Sequence, residues 1–155
     1  MAIVVTFRVP AATCAALIPG YGTAAVGTVD VEAGTLTLAA AQRLPAAPAV
    51  QVAAGASLAL AGDQVFGLLS GAGELALGRF TLSTGAGGDS TFSGVISGSG
   101  GLVKQGSASV FTLTGPSTYT GLTQVAAGTL RLGAGGTSGS AAASSGFVVD
   151  GTLAF

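Results

Sequence analysis

Residues Thr91–Gly133 read TFSGVISGSGGLVKQGSASVFTLTGPSTYTGLTQVAAGTLRLG. Within this stretch, short runs such as Phe111-Thr112-Leu113 and Leu130-Arg131-Leu132 alternate apolar and polar residues, and glycines separate the runs. Alternation with period two is the mark of a strand with one buried face. The end of the stretch recurs elsewhere. Val29–Leu38 is VDVEAGTLTL, Val50–Leu60 is VQVAAGASLAL, Gln124–Leu132 is QVAAGTLRL and Phe147–Phe155 is FVVDGTLAF. Each copy is a strand, a glycine turn and a second strand. A unit this small cannot bury its own core, so repetition at a few tens of residues predicts a solenoid.

At 155 residues, the length fits one domain. The chain is 49% hydrophobic but only 7% charged, against roughly 25% charged in an ordinary soluble domain. A net charge of −1 gives no electrostatic case for nucleic acid or anionic lipid as a partner. The uncharged stretch Val9–Val29 is no spanning helix, because Pro10, Pro19, Gly20, Gly22 and Gly27 interrupt the run of about 20 apolar residues that one needs. Serine and threonine supply the outward polarity instead, which suits strands. The 27 glycines follow no every-third-residue rule, which excludes collagen. Disorder is a rival reading only for the low-complexity run Gly133–Ser145, GAGGTSGSAAASS. Cys14 is the only cysteine, so no internal disulfide forms. It reads as a small buried apolar side chain, with an intermolecular bridge or a reactive thiol as the alternative.

Residues 1–27 read as an N-terminal lead-in or cap with a strand over Ile3–Val9, and residues 28–155 as β-helix repeats. Met1–Gly20 does not have the form of a secretion signal, since Arg8 follows the first apolar run instead of preceding it. The chain is then either a piece of a longer protein or exported by another kind of signal. Turn glycines Gly34, Gly55, Gly73, Gly100, Gly128 and Gly151 serve as markers, separated by 21, 18, 27, 28 and 23 residues. That unevenness fits a large β-helix with loops of varying length rather than a strict short-period roll. Between Leu38 and Val50 an alanine and proline loop allows a helical turn at 39–43 before Pro45 stops it. Alternation predicts that Val29, Val31, Leu36, Leu38, Val50, Val52, Leu58, Leu60, Leu75 and Leu77 face inward. Phe80, Leu82, Phe111, Leu113, Leu130, Leu132, Leu153 and Phe155 continue the series. About six rungs stack to roughly 30 Å.

The segment Thr91–Gly133 resembles the passenger-associated strand repeat of bacterial autotransporters. The family pattern appears in GSGGLVKQG at 98–106, LTGPSTYTG at 113–121 and VAAGTLRLG at 125–133. The resemblance covers about 43 residues closely and the flanking copies loosely. Three departures stand out. SASVFTL at 107–113 is one residue longer than the family's xGTLxL, which predicts a bulge. Ser117 stands where asparagine is usual, so no asparagine ladder forms there. Leu122 replaces a common glycine. The resemblance implies an all-β, right-handed parallel β-helix exported through the outer membrane to the cell surface or beyond. It also implies neighbouring rungs of a longer passenger and a C-terminal outer-membrane β-barrel, neither of which lies within this chain. Its host or surface ligand is not specified.

A search for chemistry finds little. The acidic residues are Asp30, Glu32, Asp63, Glu74, Asp89 and Asp150. Asp30 and Glu32, two apart, are the best pair for the carboxylate chemistry of glycosidases, yet nothing basic or aromatic accompanies them, and a solvated face explains them as well. Arg131 reads as outward between Leu130 and Leu132, Lys104 follows Leu102-Val103, and both read as residues that add solubility or block edge pairing rather than act in catalysis. Without histidine, no conventional serine triad forms. Glu74 reads as a turn residue. Gly87-Gly88-Asp89 matches only the first half of a calcium-binding nonapeptide and has no tandem copies. Tyr119 reads as a ring covering a rung edge with its hydroxyl reaching solvent or backbone, or as a surface contact. No catalytic, cofactor-binding or metal-binding residue is assigned, and no cofactor is implied. The preferred reading is a structural or adhesive segment of a surface-displayed passenger, not an enzyme. The alternatives are a fragment with no independent function and a polysaccharide-acting β-helix enzyme.

Overall fold

A computed structural model describes residues 28–38, 41, 49–134, 141 and 143–155. The expected strand at Ile3–Val9, Cys14 and nearly all of the helical turn at 39–43 lie outside these residues. The described chain winds through successive coils. The first coil holds β1 (Thr28–Val31) and β2 (Thr35–Leu38), and the second β3 (Ala49–Val52), β4 (Ser57–Leu60) and β5 (Gln64–Val65). The third holds β6 (Leu68–Gly71), β7 (Glu74–Ala76) and β8 (Leu82–Thr84), and the fourth β9 (Ser90–Phe92), β10 (Val95–Ser97) and β11 (Leu102–Lys104). Then come β12 (Val110–Leu113) with β13 (Thr123–Val125), β14 (Thr129–Leu132) with β15 (Phe147–Val149), and finally β16 (Thr152–Ala154).

Three parallel sheets result. A seven-stranded face runs β1-β3-β6-β9-β12-β14-β16, a four-stranded face β2-β4-β7-β10 and a five-stranded face β5-β8-β11-β13-β15. The fold is a parallel β-helix of about five turns, close to the six rungs expected, with no helix among the described residues. Where β13 follows β12 with no strand on the four-stranded face, the chain still docks on β10. Thr118 N and Tyr119 N both donate to Ile96 O, at 2.8 and 3.1 Å.

Register pins the stack. Thr28 pairs with Ala49, Ala49 with Leu68, Gly71 with Phe92, Thr91 with Thr112, Val110 with Thr129 and Thr129 with Thr152. The coil step is therefore 21, 19, 21, 21, 19 and 23 residues in turn, more regular than the glycine markers suggested. Those markers mixed corners: Gly34, Gly55 and Gly73 lie between the seven- and four-stranded faces, Gly100 between the four- and five-stranded faces, and Gly128 and Gly151 at the third corner. The steady marker is the column Gly73, Gly94 and Gly115. A Cβ on Gly94 would fall on the carbonyl oxygen of Gly73 and 2.8 Å from its carbon, and one on Gly115 would lie 2.5 Å from Ser93 O. Gly55 serves differently: its φ of +82° needs glycine, but the space around it is open.

Inward positions fill as alternation requires. Val29, Val31, Leu36, Leu38, Val50, Val52, Leu58, Leu60, Leu75, Leu77, Leu82, Phe111, Leu113, Leu130 and Leu132 are all buried. Each fully buried large side chain contributes about 1.5–3 kcal/mol. Small inward residues make room for large ones: Gly71 sits in the column between Val52 and Phe92, and Ser90 pairs with Phe111. The Ser90 hydroxyl has no hydrogen-bond partner there. Three expectations change. Phe80 is only partly buried, packed under the Arg79 guanidinium 5.4 Å from its ring centre. Leu153 is half-buried and Phe155 is 82% exposed, because the last coil has a neighbour on one side only. No bulge forms at the extra residue, since Val110–Leu113 pairs continuously with Thr129–Leu132 and the surplus is taken up in a turn at Ser107-Ala108.

Candidate functional site

Polar side chains concentrate at the corner between the five- and seven-stranded faces. Lys104 ends β11 at an inward position of the five-stranded face, in register between Thr84 and Val125. Its alternation partner is Leu102, so the side chain enters the stack, and it is 0% exposed. This corrects the solubility or edge-blocking role expected of it, since a side chain closed off from solvent does neither. Its ammonium donates to Ser109 Oγ at 2.8 Å, Gly106 O at 3.1 Å, Ala127 O at 3.4 Å and, closely, Gln105 O. Ser109 Oγ in turn donates to Gly85 O. One lysine thereby ties together the corners of three successive coils. Glycines wall it in: a Cβ at Gly85 would lie 2.8 Å from Lys104 Cδ, and one at Gly128 2.8 Å from Nζ. Burial pulls the Lys104 pKa below its ordinary value, and the charge of Asp89 opposes that shift. With its protons directed at carbonyls and the Ser109 hydroxyl, the amine is a structural tie between coils.

Tyr119 forms the second polar cluster. Its ring is fully buried. Its hydroxyl meets Thr123 Oγ1 at 2.7 Å, Thr123 meets Ser144 Oγ at 2.9 Å, and Ser144 donates to Gly121 O at 2.8 Å. The phenol therefore reaches neither solvent nor backbone, as the sequence suggested, but a chain of hydroxyls. The nearby Ser117 is buried with an unpartnered Oγ. Burial raises the Tyr119 pKa above 10.0, and the Thr123 hydrogen bond opposes this. In the unfolded chain the phenol ionises from about 10.0, while the folded chain keeps its proton. Stability is therefore complete below that pH and falls as pH rises past it. Tyr119→Phe is expected to cost about 1 kcal/mol at neutral pH and to flatten the fall above pH 10 in alkaline denaturation curves.

The acidic residues do not assemble into a reactive group. Among the described residues, no three of His, Cys, Asp and Glu lie together as metal ligands. Asp30 lies outward on β1 and Glu32 just beyond the strand. Asp63 Oδ1 accepts from Thr81 N at 2.8 Å, Asp89 Oδ1 from Val110 N at 2.8 Å and Glu74 Oε1 from Ser97 Oγ at 3.2 Å. Each reaches the following coil, so these carboxylates act as ties between coils. Glu74 opens β7 and is not a turn residue. Sequence reasoning missed this role; the available signal was the spacing of 18–23 residues to each partner, close to one coil.

The outer side of the seven-stranded face carries a register column of Asp30, Gln51, Ser70, Thr91, Thr112 and Arg131. Gln51 through Arg131 line an open groove of about 720 Å³, with Asp89 at its side. Arg131 is exposed as expected. Among the described residues, no helix is long and apolar enough to cross a membrane. One segment, holding Lys104, Tyr119 and the ladder of β11 to β14, is similar to a known repeat. Residues 102–132 match the Passenger-associated-transport-repeat family. No curated protein and no solved structure matches the chain. The transport repeat and the β-solenoid around it fit an autotransporter passenger. The match covers 31 of the 155 residues and is to a repeat of such passengers.

Proposed function

We propose that this chain is a structural and adhesive segment of an autotransporter passenger, exported across the outer membrane and continued by further rungs and a C-terminal β-barrel. The observation that carries the reading is the transport repeat at 102–132 set in an unbroken parallel ladder. The mechanism is geometric. A stack held by backbone hydrogen bonds from coil to coil forms a stiff spacer. Its outer faces offer hydroxyl-rich, weakly charged surface, as in the Ser70-Thr91-Thr112 column. The test is display. Fused ahead of an outer-membrane β-barrel in a Gram-negative host, the chain is expected to be cleaved by protease added to intact cells. The same cells are expected to bind a host-cell monolayer above a barrel-only control. Protection from external protease would overturn the export reading. Surface exposure with binding equal to the control would overturn adhesion and leave a spacer.

A further inference from the structure

The outer side of the seven-stranded face carries two adjoining columns of unlike chemistry. One holds Ser70, Thr91, Thr112 and Arg131 on β6, β9, β12 and β14. Two residues earlier along the chain, and so on the same side, stand Leu68, Asp89 and Val110, with Leu68 and Val110 half-buried. Both columns line the groove of about 720 Å³. The polar wall is uncommitted. Ser93, Ser97 and Ser99, by contrast, donate their hydroxyls to the preceding coil. Among the described residues, the Ser70, Thr91 and Thr112 hydroxyls and the Arg131 guanidinium have no hydrogen-bond or ion-pair partner. The four strands are each paired on both sides. The face therefore offers side chains, and no open backbone edge of the kind that takes an extended peptide.

We infer that this groove binds an oligosaccharide of neutral sugars carrying one carboxylate sugar, laid across the strands with its carboxylate at Arg131. The inference rests on the adhesive reading above and names its ligand class. A sugar ring has hydroxyls at its rim and C–H groups on its faces, which suits a hydroxyl wall facing Leu68 and Val110. One unit of an extended sugar chain is about as long as one strand spacing, ~4.8 Å, so successive units meet successive hydroxyls. Arg131 is the only charged residue of the polar wall and has the fork geometry that grips a carboxylate. Asp89 stands in the opposite wall two strands away, roughly 10 Å by strand spacing. One of its oxygens accepts from Val110 N at 2.8 Å, which leaves the other for a sugar hydroxyl. Its charge opposes a chain that is acidic at every unit, so a single carboxylate at the Arg131 end is selected. Among the described residues no aromatic ring lines the groove. Binding to one copy is therefore modest, with Kd of about 0.1–1 mM, and display of many copies strengthens it.

Amide NMR of the full 155-residue chain titrated with sialyllactose, a neutral disaccharide capped by one carboxylate sugar, tests this. The amides of Ser70, Thr91, Thr112 and Arg131 are expected to shift and saturate. Replacing the ligand by lactose, or the protein by Arg131→Gln, is expected to weaken binding about tenfold, and Thr112→Val about threefold. Both substitutions are on the outer side of the stack, and unmoved amides elsewhere in the spectrum show that the fold is kept. No shift in the groove at sialyllactose concentrations far above the expected Kd would overturn the proposal. So would undiminished affinity in Arg131→Gln, or lactose, a heparin disaccharide or a blocked glutamate peptide binding as tightly as sialyllactose. The monolayer assay keeps the two readings apart. Groove shifts without adhesion would support the ligand and overturn the adhesive reading, and adhesion without groove shifts would do the reverse.

Discussion

Gly94→Ala is expected to unfold the centre of the solenoid, at a cost of about 3 kcal/mol or more. The new methyl carbon would fall on the Gly73 carbonyl oxygen, 2.8 Å from its carbon and 2.9 Å from Phe92 Cζ. Carbonyl and ring cannot both retreat. Val95 N donates to Gly73 O at 3.2 Å, which fixes the carbonyl, and Phe92 is wholly buried. Relief requires the fourth coil to lift from the third, which breaks the register of β9 and β10 at once. Gly55→Ala is the control. Its backbone is left-handed, with φ +82°, but nothing lies within 4 Å, so the expected cost is only the conformational one, about 1–2 kcal/mol. Thermal melts of the two variants separate the steric effect from the conformational one. Equal losses would show that the Gly73-Gly94-Gly115 column is not held by close approach.

That column also shows what the sequence made legible. Strand alternation placed the aliphatic core correctly because period two is a local property, set by the pleat of each strand. The coil length is not local. Glycines serve all three corners, and choosing one per coil from the sequence mixed corners that only the register separates. Lys104 failed for a different reason. Leu102, Val103 and Lys104 alternate, so parity alone assigns Lys104 to the inside with Leu102. A bare charge is rarely buried, so the charge points the other way. What overrides the rule is a cage of carbonyls contributed by residues 105, 106 and 127, and backbone acceptors leave no mark in a sequence. Tyr119 was obscured because the segment from Gly115 to Tyr119 turns a corner without a strand of its own, so alternation gave it no side. Ser144, which completes its hydroxyl chain, lies 25 residues away in a low-complexity run read as a candidate for disorder.

The lysine cage makes the second strong prediction. Lys104→Met keeps the apolar stem but removes the donors that reach Gln105 O and Ala127 O. Ala127 O then loses its side-chain donor and Gln105 O keeps only the long contact from Ser109 Oγ at 3.4 Å, with an expected loss of about 2–4 kcal/mol at neutral pH. Relief of the buried charge offsets part of this but does not reverse it, because even the neutral amine donates two hydrogen bonds that methionine cannot. Lys104→Ala is expected to lose more, since it opens a cavity as well. The pH dependence distinguishes a buried ammonium from a merely packed side chain. An unfolded lysine holds its proton up to about 10.5, whereas burial makes the folded one release it earlier. Between those two points the unfolded chain binds more protons, so stability rises with pH across the window. The Tyr119 loss begins only above 10.0, which leaves the lower part of the rise open to measurement. Wild type should therefore gain stability as pH increases toward 10, and Lys104→Met should not. Lys104 is the chain's sole lysine, so lysine-selective NMR follows a single ε-amine through the same titration. A midpoint at or above 10.5 in the folded protein, or a rise that persists in Lys104→Met, would show that the ammonium is not held as described. With the cage intact, the three coils it joins should also exchange their amide hydrogens as one cooperative block, and Lys104→Met should split that block at residues 105–109.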